Sequence, residues 1–293
     1  MLQLSNVRVT SLDLDRLYLS WESDSNEDPQ DYDFWIERSE SPGGPWDTLI
    51  ARALVDTYVF IDIEPGLLHT WSHRYYRIRV VRRSTQETEY FPTVPARLQA
   101  APPLDALEMA RQELVLLKEF TGRKCWLFKR RVTGYRCPEC WDSRGGQRMK
   151  SRCLSCFDTG YAGGDHNPIE CYIQIDPTAN SPQLVGAVGE QQQQNTTART
   201  IFFPPIDPRD VIVEAENVRW RVQVKTYTER VRSPVKQELQ MHKIPRPDVE
   251  YLLPLDLDVL NLDPTAVRQF SNPTTPSTVG AGLESLFSSL GVS

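Results

Sequence analysis

The chain has 293 residues, 40% hydrophobic and 25% charged, a balance that excludes wholesale disorder. No apolar run approaches the roughly 20 residues a membrane-spanning helix needs, and Met1 to Asn6 lacks the basic-then-apolar pattern of a signal peptide. A reducing compartment and no membrane contact are therefore expected, and the six cysteines read as metal ligands or buried thiols rather than disulfides.

Residues 1–96 predict an all-β module. Short β-rich runs cover Leu4 to Thr10, Leu17 to Trp21, Tyr32 to Arg38, Thr48 to Ala53, Thr57 to Ile61, Tyr75 to Val81 and Glu87 to Phe91. Turn-formers such as Ser41-Pro42-Gly43-Gly44-Pro45 and Glu64-Pro65-Gly66 separate them. Strands at this spacing predict a β-sandwich of the fibronectin III or immunoglobulin-like kind. Alternation is clearest in Tyr76-Arg77-Ile78-Arg79-Val80, whose apolar set would face the core. Trp21 at the end of the second run, the Ser41 to Trp46 turn and Tyr76 in the place of a tyrosine corner resemble the fibronectin type III family. That resemblance implies a spacer or adhesive module that rarely carries chemistry. His69 and His73 have no partnering carboxylate or cysteine pattern and read as surface or packing residues.

Residues 97–123 read as a linker and an amphipathic helix. Pro92, Pro95, Pro102 and Pro103 mark the linker, and the helix is expected from Leu104 to Phe120. Asp105 and Glu108 have the spacing of a capping box, and Gly122 is placed to stop the helix. Leu107, Ala110, Leu114 and Leu117 fall on one face, which suits core packing better than a subunit contact.

Residues 124–256 predict a second β domain, a barrel or a sandwich, with strands over Ile169 to Ile175, Ile201 to Phe203, Val211 to Glu214, Val218 to Tyr227 and Val235 to Ile244. Within it a glutamine-rich loop at about 179–200 reads as a long structureless arm that would order against a neighbour in an oligomer. An extended tail, residues 257–293, follows. Its linker, Asn272 to Thr278, leads to Leu283, Leu286, Phe287 and Leu290 at helical spacing, a stripe suited to docking in a partner's groove.

The strongest chemical signal is Cys137-Pro138-Glu139-Cys140 followed, after twelve residues, by Cys153-Leu154-Ser155-Cys156. Each pair brings two thiolates together, and four thiolates close a tetrahedron with no open position for water. A structural zinc held by Cys137, Cys140, Cys153 and Cys156, in knuckles at about 135–165, is expected. The competing readings are a redox pair, which would not need the second C-x-x-C, or iron in the same ligands. Cys125 and Cys171 lie outside the spacing and read as buried thiols; His166 could replace a ligand, though a fifth is not required. Folding energy on the order of 10 kcal/mol from such a metal would hold an irregular loop with little core of its own.

Around these cysteines, residues 123–152 carry ten Lys/Arg against Glu139 and Asp142. This local balance of +8 leaves −14 for the rest of a chain whose net charge is −6. Such a segment would meet DNA or an acidic neighbour subunit, or be a set of solvated arginines.

The stretch from Cys153 to Gly164 is similar to the zinc repeats of DnaJ-type chaperones, but two repeats and no His-Pro-Asp tripeptide do not support a co-chaperone. With Trp126, Phe128, Tyr135 and Trp141 among the arginines, a cytosolic zinc-ribbon nucleic-acid-binding protein is the alternative reading. A carbohydrate-binding accessory role rests only on the fibronectin-like part and its tryptophans. Phosphate loops, G-x-S-x-G, H-E-x-x-H and clustered histidines are missing from the sequence, so neither catalysis nor a small-molecule substrate is expected. Finally, Cys153 to Ile169 followed by Asp210 to Leu255, with Arg219-Trp220-Arg221-Val222 and the close at Asp248 to Leu255, resembles virion proteins from the neck of tailed bacteriophages. The resemblance implies a structural virion protein, assembled in the host cytoplasm. It would form part of an oligomeric ring at the head–tail connector, collar or upper tail, with homo-oligomeric contacts and neighbouring ring proteins as partners.

Overall fold

The computed structural model describes residues 1–11, 16–23, 27–62, 74–98, 103–142, 144–150, 152–176, 183–186, 189–192, 195–230 and 233–255. The fold is mainly β with one α-helix among the described residues. Its N-terminal strands are β1 (Leu4–Ser11), β2 (Leu17–Ser23), β3 (Tyr32–Ser39), β4 (Asp47–Thr48), β5 (Val59–Asp62), β6 (Tyr75–Arg82) and β7 (Thr88–Arg97). They form two antiparallel sheets, ordered β1-β2-β5 and β4-β3-β6-β7. Period-two alternation sends Leu17, Leu19 and Trp21 of β2, Phe34 and Ile36 of β3, and Tyr76, Ile78 and Val80 of β6 into one shared core. The intervening residues of β6 face outward, where Arg77 and Arg79 both pair with Glu37. The Tyr76 hydroxyl donates to the Asp62 carboxylate at 2.7 Å, and that carboxylate also receives Arg38.

Two expectations shift here. The strand foreseen from Thr48 to Ala53 shrinks to two residues, and β7 runs on through Pro92 and Pro95, which the sequence marks as linker. As an edge strand, β7 tolerates residues that lack an N–H.

Helix α1 (Leu104–Leu116) begins after Pro103, with no side-chain cap. The foreseen capping box does not form, because Glu108 reaches forward to Arg111 and Gln112 while Asp105 faces Arg230. A π-helical turn, Leu117–Thr121, follows. Gly122 stops it by close approach rather than by a left-handed backbone. Its N–H donates to Leu117 O at 2.8 Å, and a Cβ there would lie 2.3 Å from that oxygen. Ala106, Leu107, Ala110 and Leu117 are buried. Within that face, Ala106, Ala110 and Leu117 pack with Tyr58, Val59 and Ile61 from the first module and Ile169, Phe202 and Val235 from the second. The face is spent on intramolecular packing.

The second region comprises β8 (Arg123–Phe128), β9 (Trp141–Asp142), β10 (Gln147–Arg148), β11 (Ile169–Ile175), β12 (Gln183–Gly186), β13 (Gly189–Gln192), β14 (Asn195–Ile201), β15 (Val211–Glu214), β16 (Arg219–Arg230) and β17 (Ser233–Lys243). Six of these close a barrel in the order β11-β14-β17-β16-β15-β8. Cys125, Leu127, Cys171, Ile173, Ala198, Ile212, Leu239 and Met241 make up much of its core. The stretch expected as a structureless arm instead contains the β12–β13 hairpin and then β14, whose Asn195 to Ile201 pair with His242 to Lys236 of β17. β14 escapes pattern reading because its buried positions include Thr196 and Thr200. Thr200 is satisfied by donating to Tyr172 O at 2.8 Å.

A 3₁₀ turn, Val249–Leu252, ends the described chain against the barrel. Arg219 donates to Glu250 O and Leu253 O at 2.9 and 2.8 Å, and Arg221 pairs with Asp248 and Glu250. His69, His73, the 272–278 linker and the apolar stripe Leu283, Leu286, Phe287 and Leu290 lie outside the described residues.

The two β regions meet through a polar contact as well as the apolar cluster. Asp56 and Arg131, each 2% exposed, form an ion pair. His166 Nδ1 lies 3.2 Å from Asp56 Oδ1, and Asn167 donates to Val55 O at 2.8 Å. Removing one member of a buried pair strands the other charge. Asp56→Ala should therefore lower the unfolding free energy in urea by about 3–5 kcal/mol, and Asp56→Ala/Arg131→Met should recover much of that loss.

Candidate metal centre

The centre sits between β8 and β11, where the chain leaves the barrel for 40 residues, 129–168, and returns. Two backbone knuckles shape it. In the first, Trp141 N–H donates to Cys137 O at 3.0 Å and Met149 N–H to Cys140 O at 2.8 Å, with the short β9–β10 ladder beyond. In the second, Thr159 N–H donates to Cys156 O at 2.9 Å, while Asp158 Oδ1 accepts from Cys153 N–H at 2.8 Å. Cys137 N–H to Gly160 O, at 3.0 Å, and the Arg136–Tyr161 bridge hold the knuckles together. Gly164 is required at the exit, since its φ is +71° and a Cβ would meet the Phe157 ring at 2.9 Å.

The four cysteines expected to converge do so. All are buried, and their sulfurs lie within 4.8 Å of one another. Cys137 Sγ is 3.8 Å from Cys153 Sγ, and Cys140 Sγ is 3.5 Å from Cys156 Sγ. A tetrahedral ion with metal–sulfur bonds of about 2.3 Å requires sulfurs about 3.8 Å apart. The cluster could therefore hold one metal ion and would complete its coordination without water. Burial pushes the Cys140 and Cys156 thiols up. Burial also acts upward on Cys153, but backbone and side-chain hydrogen bonds from its neighbours outweigh it and bring that thiol down. Four close thiolates repel one another, and a bound cation is what would permit all four to ionise.

Cys125 and Cys171 are elsewhere, as direct cross-strand partners on β8 and β11 inside the barrel. Burial pushes the Cys125 thiol up to about 12 and Cys171 well above its ordinary value, which makes both poor nucleophiles. His166 is not part of the sulfur cluster; it turns to Asp56, and its ring is tilted by 47° against that of Tyr58 with centroids 5.0 Å apart. The sequence gives no sign of this group, because Asp56 and Arg131 are 75 residues apart. Gly163, with a φ of +78°, supplies the remaining side of the contact. A Cβ there would lie 3.3 Å from Arg131 Nη2.

The basic segment is largely neutralised within the chain. Arg123 pairs with Glu214, Lys124 with Glu170, Lys129 with Asp207 and Asp210, Arg130 with Glu250, Arg131 with Asp56 and Arg148 with Asp158. Arg136 lies between the rings of Trp141 and Tyr161, 4.2 and 4.3 Å from their centroids. Arg144, Lys150 and Arg152 are exposed and have no ion-pair partner among the described residues.

Two predictions follow from this geometry. In the metal-loaded native chain no thiol should react promptly with a disulfide reagent. A strong chelator should release four, and Cys125 and Cys171 should react only on unfolding. Burial also holds His166 below its ordinary value of 6.5. The ring is then neutral in the fold while the unfolded chain takes up a proton near pH 6.5. Stability from this site is complete above that pH and is lost as pH falls toward the lower folded value. His166→Asn should flatten the fall in melting temperature between pH 7 and 5.5.

No family model matches the chain, and no curated protein matches its sequence.

Proposed function

We propose that this chain is a structural virion protein of a tailed bacteriophage that forms part of an oligomeric ring at the neck, collar or upper tail. We further propose that Cys137, Cys140, Cys153 and Cys156 hold one structural zinc. The ligand set supports zinc: four soft thiolates in a closed tetrahedral arrangement suit zinc and leave no site for substrate. Iron in the same ligands is separated from it by colour and redox activity.

The observation that carries the assembly reading over the nucleic-acid one is the fate of the basic segment. Six of its ten cations are paired with carboxylates of the same chain, all outside residues 123–152. What remains is Arg144, Lys150 and Arg152, too few for the several phosphate contacts that sustain a nucleic-acid groove. The carbohydrate reading is weakened at two of the module's tryptophans. Arg77 lies over Trp46 at 4.2 Å and Arg79 over Trp35 at 5.1 Å, so both rings are already engaged.

The test joins native mass spectrometry with a salt titration of DNA and RNA binding on the full chain. The expected outcome is one zinc per chain, higher oligomers alone or with neck-ring proteins, and little nucleic-acid affinity at physiological salt. A zinc-bound monomer with tight affinity, lost steeply as salt rises, would replace this reading with the zinc-ribbon one.

A further inference from the structure

The two C-x-x-C pairs are joined by ties that involve no sulfur, and these differ in kind. One is backbone and buried: Cys137 N–H donates to Gly160 O at 3.0 Å, beside Thr159, whose hydroxyl donates to Cys156 O at 2.8 Å. The other is made by side chains nearer the surface. After Cys156 the chain turns through Phe157 and Asp158, with φ of +44° and +64°, a left-handed stretch that Asp tolerates better than most residues. The turn brings the Asp158 carboxylate back to its own knuckle, where Oδ1 accepts from Cys153 N–H at 2.8 Å. The same oxygen accepts from Arg148 Nη2 at 2.5 Å, and Arg148 Nη1 donates to Asp158 O at 3.2 Å. Arg148 belongs to the other knuckle. It stands opposite Trp141 in the β9–β10 ladder, and the N–H of the next residue, Met149, donates to Cys140 O at 2.8 Å. A chain of contacts thus runs from Cys140 through Met149, Arg148 and Asp158 to Cys153.

We propose that Asp158 is a positioning residue for the metal centre, and that its clasp on Arg148 sets how fast a bound ion is released. The inference rests on the zinc reading of the four cysteines and names the pair that governs retention there. An ion with four thiolates has no open position, so a competing ligand reaches it only when one knuckle draws away from the other. The cysteines themselves are at most 2% exposed. Gly160, on the backbone tie, is buried, whereas the Arg148 and Asp158 side chains are 33% and 21% exposed. The knuckles therefore part on the clasp side. Groups that orient ligands without touching the ion typically change metal affinity by about 10–100-fold. Water screens a partly exposed ion pair, which puts this one at the lower end of that range. Asp158 holds more than the pair, because it also fixes the backbone of Cys153 directly and accepts from Arg130 Nη2 through its carbonyl at 2.5 Å.

Stopped-flow transfer of zinc from the full chain to a coloured chelator tests it, with cobalt(II) absorption reading the ligand set of each variant. Asp158→Asn keeps an oxygen for Cys153 N–H and loses the ion pair, and Arg148→Met loses the same pair from the other side. Each should speed release about tenfold, and the two combined should be no faster than either alone. Arg148→Lys should recover part of the loss. Asp158→Gly suits the left-handed backbone but drops both side-chain contacts, and it should release faster still. Arg144→Met removes a charge from the same knuckle without touching the clasp and should leave release unchanged. A four-thiolate cobalt spectrum in every variant shows that the ligands still converge, and the asparagine and methionine variants carry the test where the glycine one is unstable. Release within about twofold of wild type in both Asp158→Asn and Arg148→Met overturns the clasp while the zinc reading stands. So does additivity in the double variant, or an Arg144→Met effect as large as that of Arg148→Met. A wild-type chain that takes up neither zinc nor cobalt overturns the clasp and the zinc reading together.

Discussion

The fold depends on how residues 129–168 are held. Among the described residues, the one buried apolar cluster of their own consists of the four cysteine side chains. A connection this long without its own secondary-structure core is uncommon in a compact domain. Here it is tied at both ends by the barrel and in the middle by the sulfurs. The same stretch supplies Arg131, His166 and Asn167 to the first β module. Convergence of the cysteines therefore does more than order a loop, because it fixes the platform on which one β region rests against the other. In the proposed zinc form, on the order of 10 kcal/mol of binding energy is available for that purpose.

Charge is arranged by the same logic. Arg123 meets Glu214 across 91 residues, Lys129 meets Asp210 across 81 and Arg131 meets Asp56 across 75. These pairs differ in worth. Arg123 is 61% exposed, and a pair of that kind contributes about 0–1 kcal/mol. Asp56 and Arg131 are desolvated, so the cost of breaking their pair exceeds what the intact pair adds over an apolar substitute. The buried pair then acts mainly to specify which surfaces meet, while the exposed ones neutralise a segment whose local sequence is strongly positive.

This explains where the sequence was legible and where it was not. Alternation in Tyr76 to Val80 and the spacing of the four cysteines are local patterns, and both places match their expected geometry. β8 is not legible, since Arg123 to Phe128 shows no period of two and looks like part of a basic run. Prolines that an edge strand can carry obscure the end of β7, and buried threonines hide β14. Closure into a barrel was not legible either, because it depends on which strands pair across the gap between β8 and β11. The Asp56, Arg131 and His166 group joins distant residues of ordinary type, and no short motif announces it.

The strand β16 and the last described turn are in direct contact. Arg219 and Arg221 on β16 grip the turn from Asp248 to Leu253 through two backbone carbonyls and two carboxylates. Arg219 is 4% exposed, and its guanidinium lies 5.1 Å from the Tyr251 ring. This clamp sets the point at which the chain leaves the barrel. A segment that follows a fixed exit samples a limited volume, which raises its effective concentration at a surface within reach and lowers it elsewhere. In the proposed ring, a fixed exit of this kind would favour contact with a neighbour at the right distance over a misplaced one. The arginines of β16 would therefore influence the proposed assembly without touching a partner, by fixing the position of the chain at Leu253.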